Sequence, residues 1–499
     1  MKNNFYKNTI VLTASNVTVG ILGFIFSIYL SKILGAEGMA LYSLVMPVYN
    51  LFIALMTAGI IAAISKVSAI YSSENDYGNL FKTIKTVSTF NIIWAIIIGI
   101  LVFSFADFLG TNWIKDPRTI NAIKVTCPAM IFIALSNILK GYFYGTSKLF
   151  VPSFIDILEK ALRIFIISLL IYFLKAKSLS SLVTVAYVAL CIGELQSLIL
   201  LFLYYRNLKK DIIVSSKKRE SRLQLLMDVL VVSFPLCITG FLNNIFYTIS
   251  ALIVPRRLVS SGFKYGAALS MIGKYNGMAL NIVTFPGVII NSLNTLLIPD
   301  LSQTMSEKNY YAVSKRIRDV LRLVFLIGIG TTVLCLSIPD SLGQMFFSRN
   351  DLGLYIKAAA ITAPIQFLSL TMYGILNGLG RQGILLRNTI ITETLEITLL
   401  FILTGISRIN IFGYCITALI VHSLSLILNL YETNKVIEIN FSIINIIIFI
   451  LVGVLFYFSL SIISSLLINT NVIFKNVLFI LITFIFFVLF ALKYKISED

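Results

Sequence analysis

Apolar runs follow one another from end to end of the chain. Each is about as long as the roughly 20 residues that a helix rising 1.5 Å per residue needs to cross about 30 Å of hydrocarbon. They fall near residues 9–31, 40–65, 87–107, 122–144, 154–174, 181–205, 226–254, 267–296, 322–339, 356–378, 385–404, 409–430, 441–467 and 472–492. The pattern predicts an all-α polytopic membrane protein of about fourteen transmembrane helices with no soluble domain between them. Polar positions inside the runs are few and grouped. The eighth run, within Ala251–Gln303, follows the basic turn Pro255-Arg256-Arg257 and holds Lys274, Asn276, Asn281, Pro286, Asn291 and Asn294. Each polar side chain costs free energy in hydrocarbon unless it faces protein or a wet cavity, so this run is expected to line a cavity.

Composition agrees: 58% of the 499 residues are hydrophobic and 12% charged, against about 25% charged in soluble domains. The net charge of +18 follows from topology. With both termini cytoplasmic, about two dozen Lys and Arg fall inside and about a dozen outside. A nucleic-acid partner is excluded, because no segment is long enough to form a soluble basic face. Membrane lipids remain as surroundings, and no pattern encodes an oligomeric state beyond the default of a monomer. The first run is too long for a signal peptide and lacks a small-residue cleavage site, so it is expected to be retained. The five cysteines lie singly in apolar runs and read as small hydrophobes.

A long basic link, Arg206 to Arg222, divides the runs six and eight. An internal repeat supports that division. Ser73-Glu74-Asn75-Asp76-Tyr77 is echoed by Ser306-Glu307-Lys308-Asn309-Tyr310, Asp107-Phe108-Leu109-Gly110 by Asp340-Ser341-Leu342-Gly343, and Gly141, Gly145 and Lys148 by Gly374, Gly378 and Arg381. All are related by one offset of about 233 residues. Six spans separate the copies, so both insert in the same orientation. The expected organisation is a six-helix lobe over 1–205, a basic cytoplasmic linker over 206–225, a second six-helix lobe over 226–431, and two appended helices over 432–499.

A transporter built this way holds its cargo in a cleft near the bilayer midplane. Candidate cleft residues are Asn16, Asn50 and Lys66 in the first copy and Arg256, Arg257, Lys274, Asn276 and Asn281 in the second. Pro47 and Pro286 are candidate hinges, or simply prolines of the kind common in membrane helices. Lys274, unpaired near a span's centre, would cost about 2.5–3.5 kcal/mol. It is expected to face water and an anionic cargo, or else to snorkel outward or pair with Glu194. Basic residues strung along one route suit a phosphate or pyrophosphate headgroup. Run five, FIDILEKALRIF, allows the pairs Asp156–Lys160 and Glu159–Arg163 at i, i+4. At the repeat offset Lys160 and Arg163 fall opposite Glu393 and Glu396, and exchange of these partners during transport is a second possibility. Glu194 is a candidate for proton or sodium coupling, with membrane potential acting on the lysine as the alternative.

Enzyme chemistry is not expected. His422, the single histidine, sits in an apolar run without partners, no Walker loop is present, and no metal-ligand spacing or cofactor motif stands out. Gly378-Leu379-Gly380-Arg381-Gln382-Gly383 matches a dinucleotide fingerprint but reads as a short turn between two spans.

The stretches KILGAEGMALYSLVMPVYNLFIALMTAGIIAAISK (Lys32 to Lys66), LIVPRRLVSSGFKYGAALSMIGKYNGMAL (Leu252 to Leu280) and NSLNTLLIPDLS (Asn291 to Ser302) resemble the stage V sporulation protein B family. That family belongs to the polysaccharide and oligosaccharidyl-lipid branch of the superfamily containing multidrug exporters and lipid II flippases. The resemblance covers essentially the whole chain. It implies a flippase that moves an undecaprenyl-pyrophosphate-linked glycan, such as a peptidoglycan precursor for the spore cortex, by alternating access. Lipid II flippases carry arginines in the first span and Val19 to Leu30 has none, so a different lipid-linked glycan stays open. Two other classes compete: an exporter of small cationic compounds, which would want carboxylates in the cleft walls, and a membrane glycan polymerase, which would want catalytic carboxylates on a large outer loop.

Overall fold

The computed structural model describes residues 2–174, 178–210, 220–439, 443–467 and 471–496. Lys217, Lys218 and Arg219 of the expected linker lie outside these residues. The described chain is helical throughout, with no strand. This is what a membrane demands of a chain whose backbone must satisfy its own hydrogen bonds.

The chain packs as two units, Met1–Leu252 and Ile253–Asp499. The first contains α1 (Lys2–Thr57), α2 (Ile60–Ser73), α3 (Tyr77–Ser104), α4 (Ile120–Gly145), α5 (Phe150–Leu174), α6 (Leu179–Lys210) and most of α7 (Arg222–Ser260). The second contains the end of α7, α8 (Tyr265–Thr284), α9 (Gly287–Ser306), α10 (Tyr310–Ser337), α11 (Pro339–Phe347), α12 (Gly353–Gly378), α13 (Gln382–Leu403), α14 (Gly413–Asn434), α15 (Ile443–Leu466) and α16 (Val472–Ile496). The packing boundary therefore falls inside α7, later than the basic link. Leu225 and Val229 join the apolar core of the first unit, Tyr71 donates to Glu220 at 2.6 Å, and Gly59 is packed against Ser233.

Ten helices among the described residues are long and apolar enough to cross a membrane, or eleven if α8 and α9 form one bent span. The difference from fourteen has a physical reason. The run Val11–Ser73, 63 residues long, covers two of the expected spans, and it is interrupted at Gly35 (φ 65°) and Gly59 (φ 78°). Helices α5 and α13, also expected to span, carry too much charge to qualify on apolar character: Asp156, Glu159, Lys160 and Arg163 in one, Arg387, Glu393 and Glu396 in the other.

Each unit repeats the other's local construction. Helix α3 begins at Tyr77 and ends at Ser104, and α10 begins at Tyr310 and ends at Ser337, 233 residues on at both ends. Helices α4 and α12 keep the same offset, Ile120 to Gly353 and Gly145 to Gly378. The caps repeat too: Asp76 accepts from the Asn79 N–H and Asn309 from the Ala312 N–H, both at 3.1 Å. Gly145 lies against Ser65 O and Ser68, and Gly378 against Ile298 O and Leu301, again with matching positions. These glycines let two helix backbones approach more closely than any side chain would allow.

In the second unit Gly328 of α10 seats Pro364 of α12, and a Cβ there would lie 2.5 Å from the proline Cα. Gly328→Val is expected to lower stability by about 1–3 kcal/mol, the usual cost of overpacking. Gly383→Ala, at a position with nothing within 4 Å, is expected to change it by less than about 0.5 kcal/mol. Thermal unfolding of the two variants in detergent, followed by intrinsic fluorescence, separates these outcomes.

Candidate functional site

The deepest charged cluster lies within the first unit. Glu159 and Arg163 are four apart on α5 and so share a face, and α6 brings Glu194 to the same guanidinium. Arg163 Nη2 donates to Glu159 Oε1 and, at 3.4 Å, to Glu194 Oε1. Their side chains are only 7%, 5% and 11% exposed, so the charges are compensated by one another rather than by solvent. Gly193 makes this possible, since a Cβ there would stand 2.6 Å from Glu159 Oε1. Lys160 Nζ lies 2.9 Å from Glu159 Oε2, and Lys140 Nζ of α4 lies 2.7 Å from Asp156 Oδ1. The Glu159–Arg163 pair is thus formed. The expected Asp156–Lys160 pair is not, because each finds a nearer partner in Lys140 and Glu159. Tyr187 stacks on Tyr42 at 4.9 Å and donates to the Tyr42 carbonyl at 2.8 Å, tying α6 to α1 beside the cluster.

In the second unit Lys274 sits in a π-helical segment, Gly273–Ala279, inside α8. A π-bulge widens the helix and frequently marks a functional position. Lys274 is not unpaired: its Nζ lies 2.7 Å from Asp351 Oδ2 in the turn 348–352, and 5.9 Å from the centre of the Tyr355 ring. Arg349 holds the same carboxylate with both arms, Nε to Oδ1 at 2.8 Å and Nη2 to Oδ2 at 2.7 Å. Arg349, and after it Lys274, pull the Asp351 carboxyl well below the usual carboxylate range. The lysine's compensation comes from this turn, not from Glu194.

The first unit has the counterpart of this clasp with the signs reversed. Asp116 and Arg118 stand 233 positions before Arg349 and Asp351. Arg118 reaches Asp116 Oδ2 and Glu37 Oε1, both at 2.7 Å. Glu37 stands just after the left-handed Gly35, whereas Lys274 stands about three helical turns beyond the left-handed Gly262, so the two clasps reach their spans at different depths. One unit holds a cation between two carboxylates; the other holds a carboxylate between two cations.

The remaining candidate residues are dispersed. Arg257 Nε donates to Phe401 O at 2.8 Å, with its guanidinium 4.2 Å from that ring, and Arg256, Lys66 and Asn16 are exposed. Asn50 and Asn276 are half-buried, and Asn281 Nδ2 donates to Gly277 O at 2.7 Å within its own helix. At Pro286 the chain bends by 55° between α8 and α9, whereas α1 runs through Pro47 as helix. Glu393 and Glu396 are half-buried on α13 and have no ion pair among the described residues. Among the described residues no three His, Cys, Asp or Glu side chains gather as metal ligands.

Sequence reasoning missed Lys140 as the partner of Asp156 and missed both clasps. The signal for the clasps was present as Asp116-Pro117-Arg118 against Arg349-Asn350-Asp351 at the repeat offset.

These features define a multi-pass helical membrane protein with duplicated construction and charges gathered within each unit. The fold is that of solved flippases and exporters. A structure of "Lipid II flippase MurJ, inward closed conformation" matches with a TM-score of 0.72 at 14% identity, covering 98% of this chain and 100% of that one. An inward-facing multidrug resistance MATE family transporter of the MOP superfamily matches with a TM-score of 0.68 at 16% identity, covering 86% and 98%. In sequence, stage V sporulation protein B of Bacillus subtilis (strain 168) is 25% identical over 447 residues, covering 89% of this chain and 86% of that protein. The pattern of the polysaccharide biosynthesis protein family matches residues 5–305, and the chain belongs to that family.

Arg163→Met leaves Glu194 without its cation and Glu159 with Lys160 alone, and is expected to destabilise the protein by about 3–5 kcal/mol. Combining it with Glu159→Gln and Glu194→Gln is expected to recover most of that loss. Thermal unfolding of the single and triple variants tests this, and a triple variant no more stable than the single one contradicts the assignment.

Proposed function

We propose that the chain is a flippase that carries an undecaprenyl-pyrophosphate-linked glycan, such as a peptidoglycan precursor for the spore cortex, across the cytoplasmic membrane by alternating access, without covalent chemistry. The observation that carries the reading is Lys274. A cation in the π segment of a bent, polar span, joined there by Arg349, suits the recognition of a doubly charged headgroup. The names of the relatives support the cargo class. Arg256, Arg257, Lys66, Asn16, Asn50, Asn276 and Asn281 complete the proposed route, Pro286 and Pro47 are its proposed hinges, and both termini face the cytoplasm. The proposed working parts are two six-helix lobes with two appended helices.

A second reading rests on Glu393 and Glu396, two carboxylates of α13 that have no ion pair among the described residues. They would suit export of a small cationic compound. Coupling is proposed to run through membrane potential, which acts on a moving lysine with about 2.3 kcal/mol per elementary charge per 100 mV. Glu194, already held by Arg163, is the proposed alternative as a proton or sodium site.

Translocation of a fluorescent undecaprenyl-pyrophosphate disaccharide-peptide by purified protein in liposomes tests the reading. The parent is expected to flip it, and Lys274→Ala to lose about tenfold or more. An inert parent that instead accumulates a cationic dye, with Glu396→Gln abolishing the uptake, selects the exporter. Imposing only a membrane potential, without proton or sodium gradients, is expected to drive flipping; dependence on an ion gradient instead points to Glu194.

A further inference from the structure

We propose that Lys274 and Arg349 form an anion site of the diphosphate class, and that Asp351 is its tethered occupant, displaced when a ligand binds. The proposal rests on the flippase reading above and adds to it the competing carboxylate that occupies the two cations.

Three observations carry it. Lys274 Nζ and Arg349 Nη2 converge on one oxygen, Asp351 Oδ2, each at 2.7 Å, while Arg349 Nε takes Oδ1 at 2.8 Å. A fork plus a point charge on one planar oxyanion is the donor arrangement a phosphate oxygen pair requires. The occupant is reachable, since the Asp351 side chain is 45% exposed, Arg349 32% and Lys274 20%. The carboxylate is supplied by a turn rather than by a helix core, so it can withdraw without unfolding a span.

The third observation is the counterpart in the first unit. There the turn at Asp116–Arg118 makes the same two-residue fork and a reach to the second span, yet the shared group, Arg118, is a cation held by two carboxylates, and its fork partner Asp116 is buried. That clasp holds the backbone together and offers nothing to an anion. A bare fastening of turn to span would be served by either sign. The second unit differs in presenting two cations to the shared group, and Lys274 stands on a π segment where the first unit has continuous α-helix. Tyr355, stacked on Phe412 at 5.6 Å with its ring near Lys274, gives the site an apolar wall.

The test uses the full-length protein in phosphatidylcholine nanodiscs, with inorganic pyrophosphate as probe and calorimetry as readout. The parent is expected to bind, Asp351→Asn to bind about tenfold more tightly, and Arg349→Gln about tenfold more weakly. Arg118→Gln, which loosens only the first unit's clasp, is expected to leave the affinity unchanged. Asp351→Asn binding no tighter than the parent, or Arg349→Gln no weaker, overturns the proposal. Should Asp351→Asn fail to fold, acylation of the Lys274 amine in the parent decides, read by peptide mass spectrometry. Pyrophosphate is expected to slow it, and absence of protection overturns the site. Competition by undecaprenyl pyrophosphate assigns the site to a lipid headgroup, and pyrophosphate binding without competition assigns it to a soluble diphosphate; both support an anion site. A parent that flips the labelled lipid while binding no pyrophosphate leaves the flippase reading standing and removes this one.

Discussion

An ionised side chain inside hydrocarbon must find its counter-charge within the protein, and that requirement shapes the first unit. Arg163 is 6% exposed, and a guanidinium that deep has no means of losing its proton. Two carboxylates from two helices therefore converge on it, a third acid and two lysines balance the remainder, and Gly193 is left without a side chain so that Glu159 fits. The register of α5 against α6 follows from this. Sliding either helix by a residue would separate Glu194 from Arg163 and leave charges buried apart, a far larger penalty than any loss of apolar contact. Ordinary lipid-facing packing, with apolar surface on both sides, has no comparable power to fix a register.

The second constraint is close backbone approach. Gly141 and Gly145 on α4, and Gly374 and Gly378 on α12, let α2 and α9 come so near that a methyl group would collide with carbonyl oxygens or side chains. The repeat preserves these contacts together with the caps at Asp76 and Asn309, while the apolar residues between them change freely. Duplication has kept what geometry dictates and released what lipid tolerates.

This explains what was legible in the sequence. Run lengths gave the class, because hydrocarbon thickness acts on every span alike. The repeat was legible through its turns and glycines, where backbone geometry admits few residues. The partners of charged side chains were harder to read. Spacing of four marked Glu159 for Arg163, but it equally marked Asp156 for Lys160, and only the placement of α4 brings Lys140 close enough to take Asp156 away. Lys274 read as unpaired because its partner lies 77 residues on, in a turn whose position no local pattern specifies. The π segment that carries it has no sequence signature either.

The reversal of sign between the two clasps follows from the same logic. A salt bridge is nearly indifferent to which partner carries which charge, so long as the fork and the reach are kept. After duplication, exchanging Asp116 and Arg118 for Arg349 and Asp351, with Lys274 rather than Glu37 as the partner on the span, costs the fold little. It changes entirely what the turn offers to a ligand. A carboxylate pair can attract only cations, while a lysine and an arginine can attract only anions. A scaffold repeated in backbone and inverted in charge thus keeps two matched fastenings while making one of them selective for a negatively charged group.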